Sequence, residues 1–273
     1  MNLFNIIKDI ETMDPEITDK LNPRRAALKS FGSFGTKVAL SSLPFALGSF
    51  FNTAKAQSTS TVNDVLNFAL TLEYLESEFY IKGIATSGLI PAGAALTALT
   101  KIRDDENAHV AFLKSVLGSA AVAKPNFDFT AGGTFNDVFT NYATFLAVAQ
   151  TFEDTGVRAY KGQAPNLLGN KVVLTAALNI HSVEARHASH LRQMRKASGQ
   201  APNIKPWITG ANDTGVPQVA ASFAGEDNVT QAGVNITTLN GVGGKISTSA
   251  ATEAFDEPLT KQAVLSIVGP FIK

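Results

Sequence analysis

The sequence predicts an all-α protein: a four-helix bundle with one long crossover, followed by an irregular C-terminal extension. Apolar residues keep a helical spacing through residues 61–197, and the few helix-breaking residues fall where four helices would end. Two Glu-x-x-His units lie in this region, and its first helical hairpin is repeated in its second. We therefore divide the chain into a leader (residues 1–56), a bundle (57–199) and an extension (200–273).

The composition of the 273-residue chain limits its partners and its metal ligands. The formal net charge is zero, which gives no reason to expect binding to nucleic acid or to an anionic membrane surface. With 45% hydrophobic residues, the chain can bury a substantial core. It has no cysteine, so disulfides, iron–sulfur clusters and thiolate zinc sites are excluded, and carboxylate and imidazole remain as the strong metal ligands.

The leader has the features of an export signal. Arg24 and Arg25 precede a weakly apolar run at residues 31–51, which Gly, Ser and Ala interrupt too often for a good membrane span. Ala54-Lys55-Ala56 then forms a small-x-small cleavage pattern. The segment resembles a twin-arginine signal, although Ala27 stands where phenylalanine is commoner. The alternative is an amphipathic helix that happens to contain Arg-Arg.

Twin-arginine export implies a periplasmic or otherwise extracytoplasmic protein whose mature form begins near Gln57. That route moves folded proteins, which suits a protein that already carries a metal. No later stretch reaches membrane-spanning length, so the mature form is not expected to span a membrane.

Four helices are predicted in the bundle, at about Val62–Ile84, Ala92–Leu117, Phe135–Lys161 and Leu168–Ala197. Thr61 is the expected N-cap of the first. Short turns within each helix pair favour antiparallel neighbours, whereas the longer link that contains Pro125 suits a crossover. In the extension we expect one short helix near residues 258–268, with Pro258 in its first turn. The Gly- and Thr-rich segment before it is irregular or holds short strands.

Two Glu-x-x-His units carry the chemistry, Glu106/His109 in the second helix and Glu184/His187 in the fourth. Residues three apart in a helix lie on one face, so each unit can direct both side chains to one point. With only 4 histidines in 273 residues, two such units are not expected by chance. Each unit lies on an apolar stripe of its helix, which predicts that its polar groups face the bundle interior.

The first and third helices supply matching glutamates. Thr-Leu-Glu ending at Glu73 and Thr-Phe-Glu ending at Glu153 are offset by 80 residues, close to the offset of 78 between the Glu-x-x-His units. A tyrosine follows seven residues later in both, at Tyr80 and Tyr160. The region thus reads as two copies of one hairpin, each of which contributes Glu…Glu-x-x-His.

Other polar residues lie near these positions. Glu76 is the rival of Glu73 on nearly the same face, but the repeat aligns it with Gly156 and so argues against it. Asp105, Glu76 and Glu78 are expected to be solvated or to contact the ligands. His181, three residues before Glu184 on the same face, is expected to have a packing or surface role, and an extra ligand is the alternative. His190 should point away from the site.

The pattern resembles that of the ferritin-like superfamily, where one Glu comes from each of two helices and a Glu-x-x-His from each of the other two. The resemblance covers half of the chain and implies a di-iron or di-manganese site whose ligands are Glu73, Glu106, His109, Glu153, Glu184 and His187. In bacterioferritin-type sequences, a tyrosine seven residues after the first glutamate contacts the ligand carboxylates. The same is implied for Tyr80 and Tyr160, which are otherwise ordinary core tyrosines. The leader and residues 254–259 look more like the exported, desiccation-related bacterial group than like cage ferritins.

The charge of such a site supports two divalent cations. Four carboxylates buried unpaired would each cost several kcal/mol, or would take up protons. Two divalent cations bring four positive charges, which balance the carboxylates while both histidines stay neutral. Oxygen and imidazole ligands suit iron or manganese, with zinc as a further option. Bridging glutamates hold such a metal pair about 3.5–4 Å apart.

We therefore predict a di-metal oxidoreductase, ferroxidase-, oxidase- or catalase-like, whose metal reacts with dioxygen or peroxide in metal or oxidative-stress handling. The alternative is a non-catalytic metal-binding or stress-protective protein whose extension is an interaction surface. Mineral storage is not expected as the main function, because the long extension complicates packing into a cage. A second copy of the chain, in a homodimer, is a further candidate partner.

Overall fold

Residues 59–273 are described by a computed structural model, with side chains from Thr61 onward. They confirm the predicted all-α bundle. Its four long helices are α1, Thr59–Ala85; α2, Ala94–Leu117; α3, Tyr142–Gln163; and α4, Lys171–Ala197. The leader, with its arginine pair and cleavage pattern, lies outside the described residues. Within residues 59–273, no helix combines the length and apolarity needed to cross a membrane.

Neighbouring helices run antiparallel, as the contacts between them show. Ser77 of α1 donates to Asn107 of α2 at 2.7 Å, and Asn67 donates to the carbonyl of Ala120, just after α2, at 2.9 Å. Residue numbers thus fall on one helix as they rise on the other. The contacts between α3 and α4 follow the same rule. The chain crosses over between α2 and α3, as a bundle of two antiparallel hairpins requires.

The bundle core is rich in phenylalanine. Phe79 of α1 stacks on Phe145 of α3 with ring centroids 4.7 Å apart, and it meets Phe152 edge to face at 5.2 Å. Phe271, near the C-terminus, also packs edge-on against Phe152, at 4.9 Å. Aromatic contacts therefore join α1, α3 and the end of the chain in one core.

The first and last long helices start where local hydrogen bonds set them. α1 already includes Thr61, so the prediction that Thr61 is its N-cap is wrong. α4 begins at Lys171 instead of Leu168, because the side chain of Asn170 accepts a hydrogen bond from the backbone N–H of Val173. Such a side-chain acceptor satisfies one of the unpaired N–H groups of a first helical turn.

The start of α3 was also predicted wrongly. The helix was expected from about Phe135, but it begins at Tyr142, where the Asn141 side chain caps a backbone N–H of the first turn. Residues 129–140 form consecutive turns instead, and Gly132 has a φ of 64°. A positive φ is outside the range of a right-handed helix, so no helix runs through Gly132. The turns continue from there up to Asn141, the residue that caps α3.

The extension contains two small hairpins and two short helices. The antiparallel hairpins pair β1, Thr230–Gln231, with β2, Val234–Asn235, and β3, Asn240–Gly241, with β4, Gly244–Lys245. The helices are α5, Thr248–Glu253, and α6, Lys261–Val268. The predicted terminal helix is therefore present, but it begins after Thr260, whose side chain caps it, so Pro258 is not in its first turn.

Buried arginines of the bundle anchor the extension. They are Arg158 of α3 and Arg192 and Arg195 of α4, and each is at most 4% exposed. Their guanidinium groups donate to backbone carbonyls between residues 207 and 257. The extension thus lies against α3 and α4.

Candidate metal centre

The structure brings the six predicted ligands together in the middle of the bundle. α1 contributes Glu73, α2 Glu106 and His109, α3 Glu153, and α4 Glu184 and His187. All four glutamates are fully buried, His187 is 6% exposed, and the side chain of His109 is 12% exposed. The acidic faces of all four helices therefore point inward.

The ligand atoms form two overlapping groups in which the atoms lie within 4.8 Å of one another. His109 Nδ1 lies 3.1 Å from one oxygen of Glu73 and 3.1 Å from one of Glu106. His187 Nδ1 lies 2.8 Å from the other oxygen of Glu106 and 3.2 Å from Glu153. The groups are Glu73, Glu106, His109, Glu184 and Glu106, Glu153, Glu184, His187. They share two carboxylates, those of Glu106 and Glu184.

Two tyrosines hold Glu73 and Glu153, the glutamates that each belong to only one of the two ligand groups. Tyr80 Oη donates to Glu153 Oε1 at 2.6 Å, and Tyr160 Oη donates to Glu73 Oε1. Burial, followed by the charge of the glutamate each one contacts, raises the pKa of both tyrosines well above the usual value. Both therefore remain protonated donors. Each bond crosses between α1 and α3, so each of these helices holds the glutamate of the other in the same way.

The family of the chain follows from its sequence. A sequence model described as Ferritin-like domain matches residues 61–197, half of the chain. The chain belongs to the ferritin-like domain family. The match contains nearly all of the four long helices and every one of the six candidate ligands. No match was found among the curated proteins or among the solved structures.

The ferritin-like domain has oxygen atoms that are suited to cations. Within the described residues, Glu184 Oε2 is buried without a hydrogen bond. Glu106 Oε1 and Glu184 Oε1 lie near histidine nitrogens, at 2.8 Å from His187 Nδ1 and 3.4 Å from His109 Nδ1. A buried carboxylate oxygen without a partner is costly unless a positive charge lies beside it. Glu106 and Glu184 are the two residues whose carboxylates belong to both ligand groups. The residues present therefore fit a pair of divalent cations between α2 and α4.

Without cations, protons neutralise the cluster. Burial raises the pKa of Glu73 to about 8 and that of Glu184 well above its usual value. Although burial opposes it, the charge of Glu153 and a hydrogen bond to Glu106 raise the pKa of His187 to about 11. His109 shifts in the same direction through hydrogen bonds to the surrounding carboxylates. The site thus attracts positive charge, whether carried by protons or by metal.

Asp105 orients one histidine. Its carboxylate lies 3.2 Å from His187 Nε2, so that Nδ1 of the same ring faces the glutamates. Lys101 pairs with Asp105 and, against the effect of burial, lowers its pKa. A carboxylate on the outer nitrogen fixes the ring and raises the basicity of the inner one. This contact agrees with the sequence-based view that Asp105 touches the ligands or solvent.

Glu76 is the residue that the sequence reasoning underrated. It is 3% exposed, and burial, followed by the charges of Glu184 and Glu153, raises its pKa well above the usual value. A Cβ on Gly156 would lie 3.3 Å from Glu76 Oε1 and 3.2 Å from Glu184 Oε2. Gly156 therefore leaves room for a fifth carboxyl group. The glycine aligned with Glu76 in the repeat was the available signal.

The other two histidines lie away from the ligand groups. His181 Nδ1 contacts the backbone carbonyl of Val157 at 3.0 Å, which matches the packing role expected for it. His190 is exposed, in keeping with its predicted direction.

Proposed function

We propose that this ferritin-like domain binds two divalent cations, iron or manganese, and that the bound pair reacts with dioxygen or peroxide. The observation that carries the proposal is the sharing of Glu106 and Glu184 between two ligand groups, with Glu184 Oε2 buried and without a hydrogen bond within the described residues. One cation would be held by Glu73 and His109, the other by Glu153 and His187. Glu106 and Glu184 would bridge them.

The surrounding residues have distinct parts in this proposal. Bound iron or manganese supplies the electrons for reducing the oxidant. Tyr80 and Tyr160 hold the outer carboxylates in place and keep a proton on each Oη. Glu76, whose raised pKa favours its neutral, protonated form, holds a further proton next to Glu184. The buried setting keeps bulk water away from all of them.

The experiment is metal loading followed by exposure to oxidant. Protein stripped with chelator is loaded with ferrous or manganous ion under nitrogen, washed, and its metal content measured. We expect two ions per chain for the wild type and fewer for Glu184→Gln. Glu78→Gln is the matched control, because Glu78 is a partly exposed residue of α1 that lies outside the ligand groups and pairs with Lys82 and Lys124.

The loaded protein is then mixed with air-saturated buffer or with hydrogen peroxide, and oxidant consumption and the optical spectrum are followed. Consumption that disappears in Glu184→Gln supports the redox proposal. Two bound ions with no consumption of either oxidant would favour the alternative, a metal-holding or stress-protective protein. Equal metal content in the wild type and Glu184→Gln would contradict the assignment of the site.

We further propose that the chain is exported by the twin-arginine route, as in the desiccation-related group that its leader and C-terminal residues resemble. The supporting features are Arg24 and Arg25 and the small-x-small pattern before Gln57. Replacing both arginines by lysine should retain the protein in the cytoplasm, as cell fractionation would measure. Unchanged export of this double variant would exclude the route.

A further inference from the structure

An apolar cavity of about 130 Å³ lies between the four long helices at one end of the bundle. Its lining comes from the N-terminal halves of α1 and α4, the C-terminal half of α2 and the end of α3 with the turn after it. Val172, which is 82% exposed, and Phe112, which is 41% exposed, belong to this lining, so the cavity reaches the protein surface.

The inner end of the cavity lies one helical turn from the candidate ligands. Ala69 is four residues before Glu73, Leu113 four after His109, and Ile180 four before Glu184. Four residues of α-helix correspond to about 6 Å. The same relation holds on three helices. The cavity therefore ends above the metal centre rather than elsewhere in the bundle.

Tyr160 connects the cavity to the site directly. It belongs to the cavity lining, and its hydroxyl donates to the carboxylate of Glu73. A molecule at the inner end of the cavity is thus separated from the ligand carboxylates by this side chain and the adjacent apolar layer.

The chemistry of the lining selects apolar occupants. Only Tyr160 and Gln163 among the lining residues have polar side chains. A buried water needs two to four polar partners, and an apolar cavity of roughly 150 Å³ stays dry and binds benzene or xenon. A cavity of this size and lining favours a small apolar molecule over water or hydrogen peroxide.

We propose that this cavity takes up dioxygen and delivers it to the metal centre. Asp105, whose side chain is 27% exposed and contacts His187, is not part of this cavity, and we place the entry of polar species on its side of the site. The inference rests on the proposed function. It narrows the choice of oxidant, because it identifies dioxygen, an apolar diatomic gas, as the molecule that reaches the metal centre through the cavity. Hydrogen peroxide has no comparable path through the apolar end of the bundle.

The test combines xenon binding with two oxidants. Crystals of the wild type pressurised with xenon should show an anomalous peak in the cavity. Ala177→Leu, which fills a lining position on α4, should abolish that peak. Ala197→Leu makes the same change at the exposed end of α4 and should leave the peak in place. Leu113→Ala enlarges the cavity and should increase xenon occupancy, which covers the case in which Ala177→Leu fails to fold.

Reaction rates of the ferrous protein supply the second readout. Ala177→Leu should slow the reaction with dioxygen severalfold and leave the reaction with hydrogen peroxide unchanged. An absence of xenon from the wild-type cavity, or an equal slowing of both reactions, would overturn the inference. Xenon in the cavity of a protein that binds no metal would instead contradict the proposed function, so the two failures are distinguishable.

Discussion

Glu73 and Glu153 are positioned alike in the two halves of the centre. In each, one carboxylate oxygen accepts a hydrogen bond from a tyrosine hydroxyl of the opposite helix. The other oxygen lies next to a histidine nitrogen. Because the two partners hold different oxygens, the plane of each carboxylate is fixed before any cation arrives. This fixation lowers the entropy that a cation must remove on binding.

Replacing Glu153 by Gln should affect the metal-bound protein far more than the metal-free protein. In the metal-free protein the variant relieves repulsion among the carboxylates but also removes the charge that favours protonated His187, and its amide oxygen can still accept from Tyr80. Metal-free stability should therefore change little. Ligand binding at a hundredfold excess over Kd stabilises a folded protein by about 2.7 kcal/mol, and this increment should shrink in the variant.

Four melting curves measure this prediction, for the wild type and Glu153→Gln, each with chelator and with manganese or ferrous iron under nitrogen. Glu78→Gln serves as the control for loss of a carboxylate outside the site. Equal stabilisation of the wild type and Glu153→Gln by metal would show that Glu153 is not a ligand.

Metal-free protein should lose stability as pH rises. The pKa of Glu73 is about 8 when folded against 4.5 normally, so between these values the folded state keeps a proton that the unfolded state loses. For His187, whose pKa is about 11 when folded, the stabilisation is complete below pH 6.5 and is lost as pH rises towards 11. Both effects lower the free energy of unfolding with increasing pH.

Urea unfolding with chelator at several pH values measures this slope. Stabilisation by added metal should change in the opposite sense, because metal competes with these protons and binds more tightly as pH rises. A metal-free stability that does not change between about pH 5 and about pH 9 would contradict the buried, proton-binding cluster.

At the scale of elements, the sequence predicted what helix geometry alone determines. The Glu-x-x-His spacing places both side chains on one face of any helix, so the pairs were recognisable before their surroundings were known. The start of α3 could not be recognised in this way. Phe135 and Val138 have helix-like spacing and are buried, yet they lie in turns that pack on the core. The burial of Glu76 depends on Gly156 of another helix, a contact that local patterns do not contain.

The junction of α3 with the extension gives an element-scale prediction. A Cβ on Gly162 would lie 1.9 Å from the backbone oxygen of Leu259, which has no flexible side chain to move aside. Gly162→Ala should therefore destabilise the protein by about 1–3 kcal/mol, the usual cost of overpacking. Urea unfolding measures the change.

Gly269→Ala is the matched control for that substitution. Gly269 has a helical φ of −50°, and nothing that the structure describes lies within 4 Å of its added Cβ. Alanine there should change stability by less than about 1 kcal/mol, because its restriction of the unfolded chain is offset by the contact of its Cβ with the ring of the following Pro270. Similar effects of the two substitutions would mean that the contact at Leu259 does not constrain α3.

At the scale of the whole molecule, the extension is joined to the bundle by buried charge. Arg158 donates to the backbone carbonyls of Ser222, Ala224 and Glu257 and pairs with Glu226 at 2.7 Å. Arginine and glutamate in this pair are both fully buried. One side chain of the bundle thus satisfies acceptors from two separate segments of the extension.

Arg158→Met should release the extension while the helical bundle remains folded. Removing one partner of a buried ion pair costs about 3–5 kcal/mol, since the other charge stays buried without compensation. Burial already raises the pKa of Glu226 to about 7, against the opposing charge of Arg158, so loss of the arginine should raise it further. Protonation relieves the buried charge, and the destabilisation should therefore be smaller in acid than in alkali.

Hydrogen exchange should show lost protection in residues 217–257 and retained protection in α1 and α2. Arg186→Met, at an exposed position of α4, is the control, and adding Glu226→Leu to Arg158→Met should recover part of the stability. Uniform loss of protection across both regions would show that the extension and the bundle unfold as one cooperative unit.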